Sequence, residues 1–163
     1  LDASRDCEPA MISRRILAGA VFMTFLAGCS KGAESTPDPK LTSLGTVEVT
    51  AKLIDVGGEF PPNDLYDYAH VMQYEVLEIH RGQVSGTTIF VGHYNPRKAR
   101  TGVGDERSGE VGGNVTQFVA GDVHRMALAE PIDEQFMGGI VNKLPESEKG
   151  PIYWAIWTNR ANQ

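Results

Sequence analysis

"HVMQYEVLEIHRGQVSGTTIFVGHY", His70 to Tyr94, decides the fold. Its apolar residues recur every second position, the period of a strand and not of a helix. Met72, Tyr74 and Val76 share one face, whereas Leu77 and Ile79 continue on different parity. A phase flip inside one run marks an extra residue, so a bulge or bend is expected at Val76–Leu77. The run breaks at "RGQVSG", Arg81 to Gly86, and resumes as "TTIFVGHY", Thr87 to Tyr94, rich in β-branched and aromatic residues. A short connection with glycine near each end predicts an antiparallel hairpin.

Outward from this hairpin the same period returns. In Thr46 to Val56, the residues Val47, Val49, Ala51 and Leu53 alternate with Glu48, Thr50 and Lys52, which reads as a half-buried strand. In "DVHRMALAE", Asp122 to Glu130, His124, Met126 and Leu128 face one way. "PIYWAIWT", Pro151 to Thr158, is apolar on both parities and reads as a strand covered on both sides. A short helix over Asp133 to Lys143 is weakened by Gly138–Gly139. The fold class is therefore mainly β. A small antiparallel barrel or sandwich is expected, with an OB-like barrel as one natural solution because closure removes exposed edges. Pro96 to Thr116 is glycine-rich, charged and without an apolar run, and is read as a mobile loop.

The net charge of -6, with no basic run, argues against a nucleic-acid partner and against a polybasic membrane patch. Both cysteines, Cys7 and Cys29, precede Ser30, so the remainder of the chain holds no internal disulfide and no thiolate metal site.

Arg14 and Arg15 precede an uncharged run from Ile16 to Gly28. That run is shorter than the roughly 20 residues of a membrane-spanning helix and fits the roughly 7–15 of an export signal. It ends in Leu26-Ala27-Gly28-Cys29, which resembles a bacterial lipobox. The resemblance implies cleavage between Gly28 and Cys29 and a diacylglycerol on the Cys29 sulfur, with an N-acyl chain on the new amino terminus. More than one chain is needed for stable anchoring. No other cofactor is expected. Ser13-Arg14-Arg15-Ile16-Leu17 also partly resembles a twin-arginine signal. Ser30, where an Asp would retain such a protein in the inner membrane, leans towards an outer membrane facing the periplasm in a Gram-negative cell. The expected organisation is a signal peptide over 1–28, of which 1–10 reads as an over-extended start. A lipidated Cys and polar, proline-bearing tether follow over 29–42, then a β-domain over 43–160.

Catalytic patterns are sparse. There is no Gly-x-Ser-x-Gly elbow and no glycine loop followed by Lys-Ser/Thr. His93, Asp122 and His124 are weak candidates for a metal site, since Asp122 and His124 lie two apart on one strand and His93 can join them if the strands meet. The aromatic residues offer more. Tyr66, Tyr68, Tyr153 and Trp157 are candidate binding residues, as aromatic faces stack on sugar rings and anchor protein contacts. On the last strand Trp154, Ile152 and Ile156 read as core, and Tyr153 with Trp157 as the pair on the opposite face.

"YEVLEIHRGQVSGTTIFVGHYN", "GDVHRMALAE" and "PIYWAIWTN" together resemble a bacterial envelope domain associated with surface-polysaccharide acetylation proteins. The expected function is a lipid-anchored cell-envelope lipoprotein whose non-catalytic β-domain binds a protein or glycan. The alternatives are an enzyme or enzyme accessory acting on an envelope polysaccharide, and a periplasmic metal binder.

Overall fold

The computed structural model describes residues 38–62, 66–145 and 150–161. The leader, the lipobox and Cys29 lie outside the described residues, which belong to one compact unit, Thr36–Gln163. Among the described residues no helix is long and apolar enough to cross a membrane.

A one-turn helix α1 (Pro39–Ser43) leads into β1 (Val47–Asp55), β2 (Tyr68–Arg81) and β3 (Thr88–Tyr94). A 3-10 turn (Arg100–Gly102) and the two-residue β4 (Gly112–Gly113) precede β5 (Val123–Ala129). The chain continues through α2 (Ile132–Gln135) and β6 (Gly139–Val141) to β7 (Ile152–Arg160). The five strands expected from alternation are β1, β2, β3, β5 and β7, and they close in the order β1-β2-β3-β7-β5-β1. This is the closed barrel that the pattern predicts, OB-like in its single-ring closure. One joint departs from the expectation, because β3 and β7 run parallel. The reason is arithmetic: an odd ring of strands cannot alternate direction all the way round.

The hairpin between β2 and β3 forms as read. Gly82 has φ +77°, and a Cβ there would lie 2.5 Å from the Thr46 carbonyl oxygen, so only glycine fits this corner. The predicted phase flip is a bulge. Thr50 pairs with Glu78 and Ala51 with Val76, leaving Leu77 as the extra residue. A second extra residue, His80, separates Ile79 from Arg81. These bulges coil the long β2 so that it can close against both β1 and β3.

The core has two layers. Inside the barrel lie Val49, Ala51 and Leu53 of β1, Met72 and Tyr74 of β2, Met126 and Leu128 of β5, and Tyr153 and Ala155 of β7. Outside it, Ala69, Tyr94 and Trp154 are covered by Ile132, Phe136, Val103 and Val111. β7 is therefore covered on both faces, which explains its unbroken apolar run.

The segment read as a mobile loop is packed instead. Arg100, Val103, Val111 and Val115 are all buried. Its apolar residues are too widely spaced to register as an element, yet each docks singly on the barrel. The folded unit also takes in residues that composition assigns to the tether. Leu41 of α1 is buried, and Asp38 caps the helix, its Oδ1 accepting from the Lys40 backbone N–H at 3.0 Å. Oδ2 of Asp38 accepts from Trp157 Nε1 at 2.8 Å and from Asn159 Nδ2 at 2.9 Å. Changing Asp38 to Ala should cost about 1–2 kcal/mol, the range of a lost cap. It should also shift Trp157 fluorescence to the red; an unchanged urea midpoint and spectrum would refute this role.

Candidate functional site

Structure separates the four candidate aromatics. Tyr153 is 3% exposed and points into the barrel, so the face read as the candidate binding face is core here, while Trp154 packs in the outer layer. Trp157 lies on the outer face, not beside Tyr153. A bulge decides this: Ala127 pairs with Trp157 and Leu128 with Ala155, so Ile156 is an extra residue that reverses the parity of everything after it. Trp157 is held by Asp38, with the Lys40 ammonium 5.7 Å above its ring. Tyr68 is buried, its ring 6.4 Å from that of His70. Tyr66 is 72% exposed.

The histidines do converge, though without Asp122. His70, His93 and His124 are fully buried on the inner faces of β2, β3 and β5. Tyr74 Oη lies 3.0 Å from His93 Nε2 and 3.2 Å from His124 Nδ1. A hydroxyl carries one proton, so Tyr74 donates to one imidazole and accepts from the other. Asp122 instead pairs with Arg160 at 2.9 Å, away from the pair. Among the described residues no three His, Cys, Asp or Glu side chains form a metal-ligand group. His70 Nε2–H donates to the Val56 carbonyl at 2.9 Å and the Gly57 carbonyl at 3.2 Å.

The Phe118 ring caps this polar end, 4.4 Å from His93 and 5.6 Å from His124. Above it sits the Arg100 guanidinium, 5.3 Å from the Phe118 ring, its Nη2 donating to the Asn95 and Lys98 carbonyls. No carboxylate among the described residues pairs with Arg100. Burial lowers the Arg100 pKa to about 10 and that of His124 to about 4. Burial, reinforced by Arg100 and His124, holds His93 well below the ordinary histidine value. His70 is lowered by burial against the opposing pull of its two carbonyl acceptors. Burial raises Tyr74 well above the usual phenol range. The imidazoles and Tyr74 thus form a sealed, uncharged network beneath the Arg100 cation.

The open site lies outside the barrel wall. Phe136 and Trp154 stack with centroids 5.0 Å apart and planes 9° apart, and Tyr94 meets Phe136 edge-on at 5.4 Å. Across this aromatic wall lies the turn Asp105–Glu110. Tyr94 Oη donates to Asp105 Oδ2 at 2.7 Å. Burial pushes the Asp105 carboxyl up, but hydrogen bonds from Tyr94 and the Arg107 and Ser108 N–H groups outweigh it and hold the pKa below the ordinary value. Burial and that carboxylate raise the Tyr94 phenol. Arg107 projects from the turn and donates to Asp67 Oδ2 at 2.9 Å. Asp67 Oδ1 is fixed by Asn95 Nδ2 at 2.8 Å.

Arg107 divides two grooves. One, of about 370 Å³, is lined by Asp67, Arg107, Phe136, Met137 and Gly138. The other, of about 330 Å³, runs past Glu110, Gln135 and Trp154 towards Leu44. Met137 is 93% exposed at the first groove, and Tyr66 is the neighbour of Asp67 in the chain. Both volumes fall within the range of small-ligand sites, roughly 300–1,000 Å³. None of the sequence candidates lines either groove, although Tyr66 and Tyr68 flank Asp67 in the chain. Asp67, Arg107, Phe136 and Met137 carry no local signal, because the loop and the short helix that bring them together are joined only by tertiary packing. Comparison of the chain with known protein families, curated proteins and solved structures found no match.

Proposed function

We propose that this protein is a lipid-anchored component of the bacterial cell envelope whose β-domain is a non-catalytic binding module for an envelope glycan, or a protein bearing one. The Arg107–Asp67 pair, fixed in a groove lined by Phe136 and Met137, carries the reading, and the exposed Tyr66 directly precedes Asp67 in the chain. A planar guanidinium–carboxylate pair offers donors and acceptors to sugar hydroxyls, and an exposed tyrosine offers a stacking face. The negative net charge disfavours nucleic acid, the other polymer that OB-like barrels hold. Likeness to envelope domains associated with polysaccharide acetylation points the same way, as an analogy of sequence pattern. The likeness of residues 26–29 to a lipobox supports attachment through Cys29.

The test has two arms. Cells fed radiolabelled palmitate should label the wild-type protein and not Cys29→Ser; label on both would remove the anchor. Titration of the full chain with fragments of its own envelope polysaccharide should show binding, weakened at least tenfold in Tyr66→Ala/Arg107→Ala with an unchanged melting curve. Equal binding by that variant would remove the groove from the account.

A further inference from the structure

The polar end of the barrel has an unusual composition. Three neutral imidazoles and an uncompensated arginine share it, yet the polar atoms are not all satisfied. His93 Nδ1, His124 Nε2 and Arg100 Nε are buried without a hydrogen-bond partner. Buried polar atoms are normally paired, and those left unpaired lower the cost of opening the structure around them. The element that covers them is the connection Asn95–Asp122. Arg100 belongs to it as a unit, its backbone N–H bonded to Val115 O at 2.8 Å and its Nη2 to the Asn95 and Lys98 carbonyls, all within the connection. The ties to the rest of the domain run through Asn95, Asp105, Arg107, Gly121 and the pairing of β4 with β7.

We propose that protonation of His93 and His124 ejects the connection Asn95–Asp122 from the barrel end and thereby dismantles the groove built on Arg107. The groove clause rests on the binding function proposed above; the ejection does not. The groups around the pair set the direction. Tyr74 from β2 is neutral and His70, also on β2, is neutral. Arg100 from the connection is a cation that a charged His93 would repel. Asp122 favours a charged His124 and Arg160 opposes it; these two neutralise each other at 2.9 Å. Lys143 acts on His70 only, and disfavours its charge. Nearly every neighbour therefore resists a proton while the segment is seated, and water accepts it once the segment leaves.

The sign follows. Imidazoles neutral in the closed state and ordinary in the open state take up protons on opening, so opening rises as pH falls below the ordinary histidine value. Two such groups, with an open-state pKa of about 6.5, raise the opening constant about 100-fold between pH ~7.5 and ~5.5. An envelope protein outside the cytoplasm meets such changes directly.

Hydrogen exchange on the full chain reads this without any ligand. Corrected for intrinsic rates, protection at Asn114, whose N–H bonds to Thr158 O of β7, should fall about 100-fold over that pH interval. Thr46 and Val76, bonded to Leu128 and Thr87, should hold theirs. In His93→Gln/His124→Gln the connection should lose this pH dependence. In the wild type, imidazole ring resonances of His93 and His124 should titrate with the midpoint at which protection is lost. Loss of protection in the strands and the connection together, an unchanged pH dependence in the double variant, or ring titrations with separate midpoints would each overturn the device. An intact pH response with no glycan binding at any pH would instead remove only the proposed ligand.

Discussion

Trp154→Ala should destabilise the domain by about 3–5 kcal/mol, the range for emptying a large buried aromatic site. Trp154 is 2% exposed, stacked on Phe136 and within 6.2 Å of the Tyr94 ring. It stands on β7 between Gly92 of β3 and Ala129 of β5. Neither neighbour has bulk with which to fill the hole, so the site cannot collapse cheaply. Phe136 loses its stacking partner and with it the wall shared by the two grooves. Trp154→Phe keeps most of the apolar contact and should lose less than half as much. The urea midpoint at pH 7 measures both; a loss below about 1 kcal/mol for the alanine variant would show that the outer layer is not a core.

Gly113→Ala should be comparably severe, at about 4 kcal/mol, or should prevent the folded protein from accumulating. Gly113 has φ +135°, and a Cβ there would sit 1.9 Å from the Thr158 carbonyl oxygen and 2.6 Å from its carbon. Thr158 is 1% exposed on β7, so the obstruction is backbone and has no rotamer to change. β4 would have to leave β7, breaking the bonds from the Asn114 N–H to Thr158 O at 3.1 Å and Asn159 Oδ1 at 2.9 Å. Strain of roughly 1–3 kcal/mol, overpacking of roughly 1–3 and lost hydrogen bonds of about 1 each make that figure the lower bound of their sum. Gly109→Ala supplies the control. Its φ is +62° but nothing lies within 4 Å, so it should cost only about 1 kcal/mol. Thermal melts that rank the two variants equally would show that the close approach of β4 to β7 does not matter.

These expectations depend on features of unequal visibility in the chain. The β-strands were legible because alternation is a local property: Val49, Ala51 and Leu53 point inward wherever the strand is placed. The bulge at Leu77 was legible too, because it interrupts a long pattern on both sides. The bulge at Ile156 was not, since β7 is apolar on both faces and an extra residue leaves no mark; Trp157 therefore went to a face the parity does not predict, and which face of β7 turns inward, putting Tyr153 in the barrel, was equally unmarked. Inward histidines were readable by parity, as His124 shares the face of Met126 and Leu128, but their meeting at Tyr74 was not.

By itself, then, the sequence determined strand content, the β2–β3 hairpin and one bulge, because each follows from the pleat and the turn within a single stretch of chain. Tertiary structure alone decided the parallel β3–β7 joint, the burial of Arg100, and the grouping of Asp67, Arg107, Phe136 and Met137. The physical reason is range. A side chain's direction is set by its own backbone, whereas what meets it there is set by elements far away in the chain.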